Sequence, residues 1–190
     1  MLLFSIIIIL CSVSEILLYN KRYISLISEI NITIKATGNQ YVLNSGFAVL
    51  PYQILINDII QETIKYQYYL NVEYSNITMR WNRSIYDCSN MFNSLNIIKI
   101  DFSGFDSSKV TKMYDMFYGC TSLTSINFKN FDTSSVVYMG YVFDTCTSLT
   151  SVDLSHFNTS ACTDMNAMFD DCHSLISIDL SNFEHLMLLI

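Results

Sequence analysis

The chain has 190 residues, enough for one domain or for one small domain plus a processed segment. With 51% hydrophobic and 14% charged residues it is not an intrinsically disordered chain, which needs the opposite balance. A net charge of −7 with only ten Lys and Arg argues against a nucleic-acid partner, because a phosphate backbone repels such a surface. The charge is also uneven: Glu15 to Ser84 holds six bases and five acids, whereas Ile85 to Ile190 holds four bases and twelve acids. That shift near Ser84 marks a candidate domain boundary.

In chain order, the first element is an apolar run from Leu2 to Leu10, broken only by Ser5. It has the length of a signal-peptide core and is too short to span a bilayer. Ser12-Val13-Ser14 places small residues before Glu15, so residues 1–14 are expected to be a signal peptide, although no basic residue precedes the core. The expected location is therefore secreted or cell-surface. Export gives meaning to four N-x-[ST] sequons, at Asn31, Asn76, Asn82 and Asn158, which are the candidate glycosylation sites.

Residues 30–84 read as a small β-rich N-terminal cap. Ile32 and Ile34 alternate with polar residues, Thr37-Gly38-Asn39 signals a turn, and Tyr41 and Leu43 resume the alternation. Tyr52 to Ile56 followed by Asn57-Asp58 is a second strand and turn. Ile77, Met79 and Trp81 alternate again, while Gln61 to Tyr69 is open to a strand or a short helix.

A self-match at 26 residues dominates the second half. Cys120, Cys146 and Cys172 share this spacing, as do Phe117, Phe143 and Phe169, and Met113, Met139 and Met165. Leu123/Leu149/Leu175, Ile126/Val152/Ile178, Phe128/Leu154/Leu180 and Phe131/Phe157/Phe183 complete seven columns. Ile85, Cys88, Phe92, Ile97, Ile100, Phe102 and Phe105 form an upstream copy, one residue shorter near Ser94. The units are 85–109, 110–135, 136–161 and 162–187.

Each unit is expected to hold a short strand, as in Leu123 to Phe128, and a short helix. The helix reading rests on Val110, Met113, Met116 and Phe117 at helical spacing, with Asp106 to Ser108 and Asp132 to Ser134 offering N-cap oxygens. Such a unit cannot bury its apolar side alone, but stacked copies can. The expected fold is an α/β repeat solenoid, with parallel strands on one face and short helices on the other, behind the β-rich cap. The last copy departs after Phe183, where Glu-His-Leu-Met-Leu-Leu-Ile replaces the repeat pattern. Leu186 to Ile190 either folds over the open end or marks a sequence cut short; the second is favoured.

Cys-Thr-Ser-Leu-Thr-Ser-Val-Asp-Leu-Ser-His-Phe-Asn-Thr-Ser (Cys146 to Ser160), followed by Thr-Asp-Met-Asn-Ala-Met-Phe (Thr163 to Phe169), resembles the 26-residue repeat of BspA-like leucine-rich-repeat surface proteins. Asn76 to Asn82 is similar to the lead-in segment of some protist members. The resemblance implies an extracellular leucine-rich-repeat protein used in adhesion, and no enzyme.

The residues themselves support no catalytic site and no cofactor. The Cys120, Cys146 and Cys172 column lacks the paired short spacing of a metal site and reads as buried core. Cys88 and Cys162 fall in apolar columns, and removal of Cys11 with the signal leaves five cysteines, an odd count. His156, His173 and His185 fall in variable polar columns and read as solvent-exposed. The functional candidates are the outward strand positions: Lys99 and Asp101, Ser125 and Asn127, Ser151 and Asp153, Ser177 and Asp179. Stacked, they form polar ladders that would meet a protein or glycan partner by many weak contacts. That face lacks aromatic or Arg anchors, which leaves a passive structural segment as the alternative. No small-molecule substrate is expected.

Overall fold

The computed structural model describes residues 27–184; the expected signal peptide and the Leu186–Ile190 tail lie outside the described residues. Eight strands follow one another: β1 Ser28–Lys35, β2 Gly38–Tyr41, β3 Gln53–Ile56, β4 Ile59–Ile60, β5 Gln67–Leu70, β6 Tyr74–Trp81, β7 Ile97–Asp101 and β8 Ser125–Asn127. Six of them form a mixed sheet in the order β4-β3-β6-β1-β7-β8, and β2 pairs with β5 in a second, antiparallel sheet.

Strict alternation makes the two long strands. Ile30, Ile32 and Ile34 of β1 and Ile77, Met79 and Trp81 of β6 turn inward, while Asn31, Thr33, Asn76 and Thr78 turn out. The two strands pair antiparallel over their whole length, Ser28 opposite Trp81 and Lys35 opposite Tyr74. Asn57 and Asp58, with φ of 49° and 66°, make the tight turn between β3 and β4; both residue types tolerate this left-handed backbone. On its other side β1 pairs antiparallel with β7, and β7 pairs parallel with β8. One sheet thus runs from the first half of the chain into the repeats.

The expected α/β repeat solenoid is corrected. The described residues contain no helix, and the fold is a mixed β-sheet continued by stacked turns. The segments read as helices have left-handed residues at two fixed columns: Asn90, Asp115, Tyr141 and Ala167 in one, and Ser94, Gly119, Thr145 and Asp171 in the other. A right-handed helix cannot pass through such positions. In the first three units their amides bond to the next unit instead of to the i−4 carbonyl. Met113, Asp115, Phe117 and Gly119 donate to the carbonyls of Tyr138, Gly140, Val142 and Asp144. Met139, Tyr141, Phe143 and Thr145 repeat this toward Asp164, Asn166, Met168 and Asp170. Intervening amides close i−3 turns, as Met116 to Met113 and Tyr118 to Asp115. A left-handed non-glycine residue costs roughly 1–2 kcal/mol. The bonds it permits, and burial in these segments of side chains such as Met113, Met116 and Phe117 at ~1.5–3 kcal/mol each, outweigh it.

The expected strands of the third and fourth units are also absent: residues 151–154 and 177–180 carry no sheet ladder. The core is aromatic and columnar. Phe92, Phe117, Phe143 and Phe169 stack at centroid spacings of 5.9, 5.5 and 5.4 Å, and Phe105, Phe131, Phe157 and Phe183 at 5.8, 6.4 and 6.5 Å. Trp81 joins the two halves, edge-on to Phe105 and donating its indole N–H to the Val49 carbonyl at 2.8 Å.

The Asp-Ser-Ser and Asp-Thr-Ser segments are unit connectors, not helix caps. Ser107 Oγ accepts the Asp132 amide (2.6 Å), Thr133 Oγ1 the Asn158 amide (2.8 Å) and Thr159 Oγ1 the Glu184 amide (2.8 Å). Ser28 Oγ does the same for the Asp106 amide (2.9 Å), so β1 extends the column upward. All four hydroxyls are buried.

Candidate functional site on the outer sheet face

The outer face of the six-stranded sheet gathers polar side chains from four adjacent strands. Asn76 and Thr78 come from β6, Asn31 and Thr33 from β1, Lys99 and Asp101 from β7, and Ser125 and Asn127 from β8. They line a shallow groove of about 440 Å³, with Asp58 of the β3–β4 turn at its rim. Four of the sequence-derived face residues, Lys99, Asp101, Ser125 and Asn127, are therefore together. Ser151, Asp153, Ser177 and Asp179 are exposed further along the stack, on segments without a ladder.

Much of this face is tied internally. Arg80 Nε meets Glu29 Oε2 at 2.6 Å and its Nη1 donates to Gln53 Oε1 at 2.9 Å. Asn31 donates to Glu29 Oε1 (3.1 Å) and accepts from Thr78 Oγ1 (2.6 Å). Thr33 Oγ1 donates to Asn76 Oδ1 at 3.0 Å, and Asn127 Nδ2 to Asp101 Oδ1 at 2.9 Å. The Arg80–Glu29 pair is about one-third exposed, so it contributes at most about 1 kcal/mol. Lys99 has no ion-pair partner among the described residues and is the free cation of the groove.

The Asp101, Asn127, Asp153, Asp179 column has a structural duty. Each Oδ1 accepts the amide two residues on, from Ser103, Lys129, Ser155 and Ser181 respectively, at 2.8 to 3.0 Å. The hydroxyl and amide of Ser155 hold the Asp153 carboxyl below the usual carboxylate range. The amide and hydroxyl of Ser181 do the same for Asp179.

Cys120, Cys146 and Cys172 donate their thiols to the carbonyls of Phe92, Phe117 and Phe143, at 3.0, 3.3 and 3.0 Å. Burial pushes the Cys120 thiol up to about 12 and Cys172 to about 11, and raises Cys88 and Cys146 further. Such thiols are poor nucleophiles and metal ligands. The five described cysteines are free, and no group of three His, Cys, Asp or Glu among the described residues could hold a metal ion.

The sequons differ in setting. Asn82 is exposed in the bend after β6. Asn158 is exposed, with its Oδ1 accepting the Ser160 amide at 3.0 Å. Asn76 and Asn31 lie within β6 and β1, on the groove. His156 and His173 are exposed, and His185 lies outside the described residues.

Sequence reasoning missed the contribution of Glu29, Asn31, Thr33, Gln53, Thr78 and Arg80 to this face. Alternation marked which way such residues point, but not which strand lies beside which.

The sequence model of the family described as "Mycoplasma protein of unknown function, DUF285" matches residues 79–187. The match is to that family, so the resemblance to BspA-like leucine-rich repeats is corrected, and the leucine-rich-repeat and solenoid descriptions go with it. No curated protein and no solved structure matches the chain. Among the described residues no helix is long and apolar enough to cross a membrane.

Proposed function

We propose that this chain, which belongs to the DUF285 family through residues 79–187, acts by binding. The polar face of β6, β1, β7 and β8 takes a protein or glycan partner through many weak contacts, at a cell surface or in a matrix after export. The observation that carries this reading is the groove itself: Lys99, Asp101, Ser125 and Asn127 continue without a break into Asn31, Thr33, Asn76 and Thr78. A shallow polar surface of this kind gives each contact little affinity, so the reading requires clustering for useful avidity.

The test displays the chain on a multimerising carrier and screens it against a glycan array and cell-surface preparations. Binding should appear on clustering and fall when Lys99→Ala and Asn127→Ala remove the groove's free cation and its β8 amide. The second reading, a passive structural segment, is favoured by the turn-forming duty of Asp101, Asn127, Asp153 and Asp179. Absence of any partner for the clustered protein establishes that second reading against the first, and binding indifferent to both substitutions refutes the groove as the contact surface.

A further inference from the structure

A different surface lies on the turn side of the stack, away from the groove. Its edge is a column of single parallel bridges joining Asp87, Lys112, Tyr138 and Asp164. At the upper end of the column Lys112 Nζ lies 3.7 Å from Asp87 Oδ2, so that carboxylate has its cation. Asp164 has Tyr138 in the corresponding place and no Lys, Arg or His partner among the described residues. Its Oδ1 accepts the Asn166 amide at 3.0 Å, which fixes the carboxylate's position and leaves Oδ2 for another donor.

Aromatic rings gather beside it. Gly140 is the floor: a Cβ there would meet the Tyr114 ring at 3.2 Å and Asp164 Oδ1 at 3.3 Å. A side chain there would make the ring and the carboxylate give by a few tenths of an ångström. Tyr141 closes the side, edge-on to Tyr114 with centroids 5.4 Å apart, and its hydroxyl accepts from Asn166 Nδ2 at 3.0 Å. The rings form a ledge rather than a core, since Tyr114 is 38% exposed and Tyr141 is half-buried.

We infer that the Tyr114–Tyr141 ledge with Asp164 docks a Lys- or Arg-bearing segment of a basic protein partner. The cation lies over the Tyr114 ring and pairs with the Asp164 carboxylate. Charge complementarity selects this occupant: the region from Ile85 onward holds four bases against twelve acids, and the ledge is flanked by Asp115 and Asp164. The same protein shows the arrangement satisfied internally. Lys35 Nζ lies 5.4 Å from the centre of the Tyr74 ring and 3.9 Å from Glu73 Oε1. Tyr114 and Asp164 offer the ring and the carboxylate of that trio without the lysine. Tyr, Trp and Arg are the residue types in which interface energy concentrates. This surface therefore carries the aromatic anchors that the sheet face lacks.

The experiment immobilises the full chain and titrates it with a lysine-rich peptide, its fully acetylated counterpart and a neutral oligosaccharide, at low ionic strength. The lysine peptide should bind and the acetylated one should not. Tyr114→Leu, which keeps an apolar cover over Gly140, and Asp164→Asn, which keeps the acceptor for Asn166, should each weaken binding by about threefold to fivefold. Asp106→Asn removes the same charge elsewhere on the stack, keeps the acceptor for the Ser108 amide and should leave binding unchanged; thermal melts confirm that all three variants fold. If Asp106→Asn weakens binding as much as Asp164→Asn while Tyr114→Leu has no effect, only the general field of an acidic chain is at work and the site is refuted. Oligosaccharide binding that depends on Tyr114, without lysine-peptide binding, overturns it as well. Lys99→Ala and Asn127→Ala leave this ledge intact, so its failure and the failure of the groove are separately readable.

Discussion

Thr133→Val tests whether buried hydroxyls join the units. Valine keeps the shape and removes only the oxygen. Thr133 Oγ1 accepts the Asn158 amide at 2.8 Å and donates to the Asn158 carbonyl at 3.0 Å, and Thr133 itself is 1% exposed. The substitution orphans both groups of one peptide neighbourhood. A buried group left without its partner costs about 1–3 kcal/mol. Asn158 is exposed on its outer side, so water reaches it in part and the expected loss is about 2 kcal/mol. For a chain of this size that lowers Tm by about 4–8 °C. Thr133→Ser keeps the oxygen and loses one methyl, about 0.8 kcal/mol, and serine already fills this column at Ser107. The assay is a thermal and denaturant melt of the three proteins, with hydrogen exchange at the Asn158 amide. Exchange there should accelerate in Thr133→Val and stay slow in Thr133→Ser. Equal losses in the two variants, or unchanged protection of Asn158 in the valine protein, would show that methyl packing and not the hydroxyl joins the units.

Three further outcomes are expected. In the native protein at mildly alkaline pH, a thiol reagent should modify half-buried Cys172 first and Cys88, Cys120 and Cys146 only on unfolding; mass mapping that finds Cys146 labelled early contradicts the buried thiol column. Asp132, Asp153 and Asp179 all titrate below the usual carboxylate range because Ser134, Ser155 and Ser181 bond to them. A depressed folded pKa stabilises the fold above the unfolded value and is lost as pH falls through the folded one. The denaturation midpoint should therefore drop across the acidic range less steeply when all three are Asn, and identical pH profiles would refute the cause. In a eukaryotic secretory host, glycan should be found on exposed Asn82 and not on Asn31, whose amide nitrogen donates to Glu29 of β1 and whose oxygen accepts from Thr78 of β6; glycopeptide mapping that finds the reverse contradicts this ranking.

The strands of the first half were legible because alternation is a direct signature of a half-buried sheet: Ile32 and Ile34, then Ile77, Met79 and Trp81, read as they lie. The unit length and the buried columns were equally plain. What failed was the local backbone. Val110, Met113, Met116 and Phe117 face inward at helical spacing, but i−3 turns linked by left-handed residues give the same periodicity. Gly119, and Asn90 and Asp115 in the other column, were the available hints, since these residues tolerate positive φ. Tyr141, Thr145 and Ala167 in the same columns concealed them. Half of the candidate face was readable from repeat spacing. The other half depends on the β1–β6 and β1–β7 registers, which bring residues distant in sequence side by side.

In the turn segments alternate amides point toward the next unit, against single return bonds from Thr111, Val137 and Thr163, and these files make that side of the stack electrically polar. One file of peptides runs from the Asn44 amide to the Met91 carbonyl, on through Phe92 to Met116, Phe117 to Val142, and Phe143 to Met168. Each peptide passes a dipole of roughly 3.5 D to the next, so bonds in a file polarise one another much as they do along a helix. Here the axis runs across the chain rather than along it. At the carbonyl end Asn44 closes two files, since its side-chain amide also donates to the Asn93 carbonyl at 3.1 Å. At the opposite end, Asp170 Oδ1 accepts the Asp171 amide at 3.1 Å, placing a carboxylate where the aligned amides are positive. The two ends are chemically unlike, one rich in acceptors and the other in donors, and two such stacks brought together by like ends would gain no backbone bond.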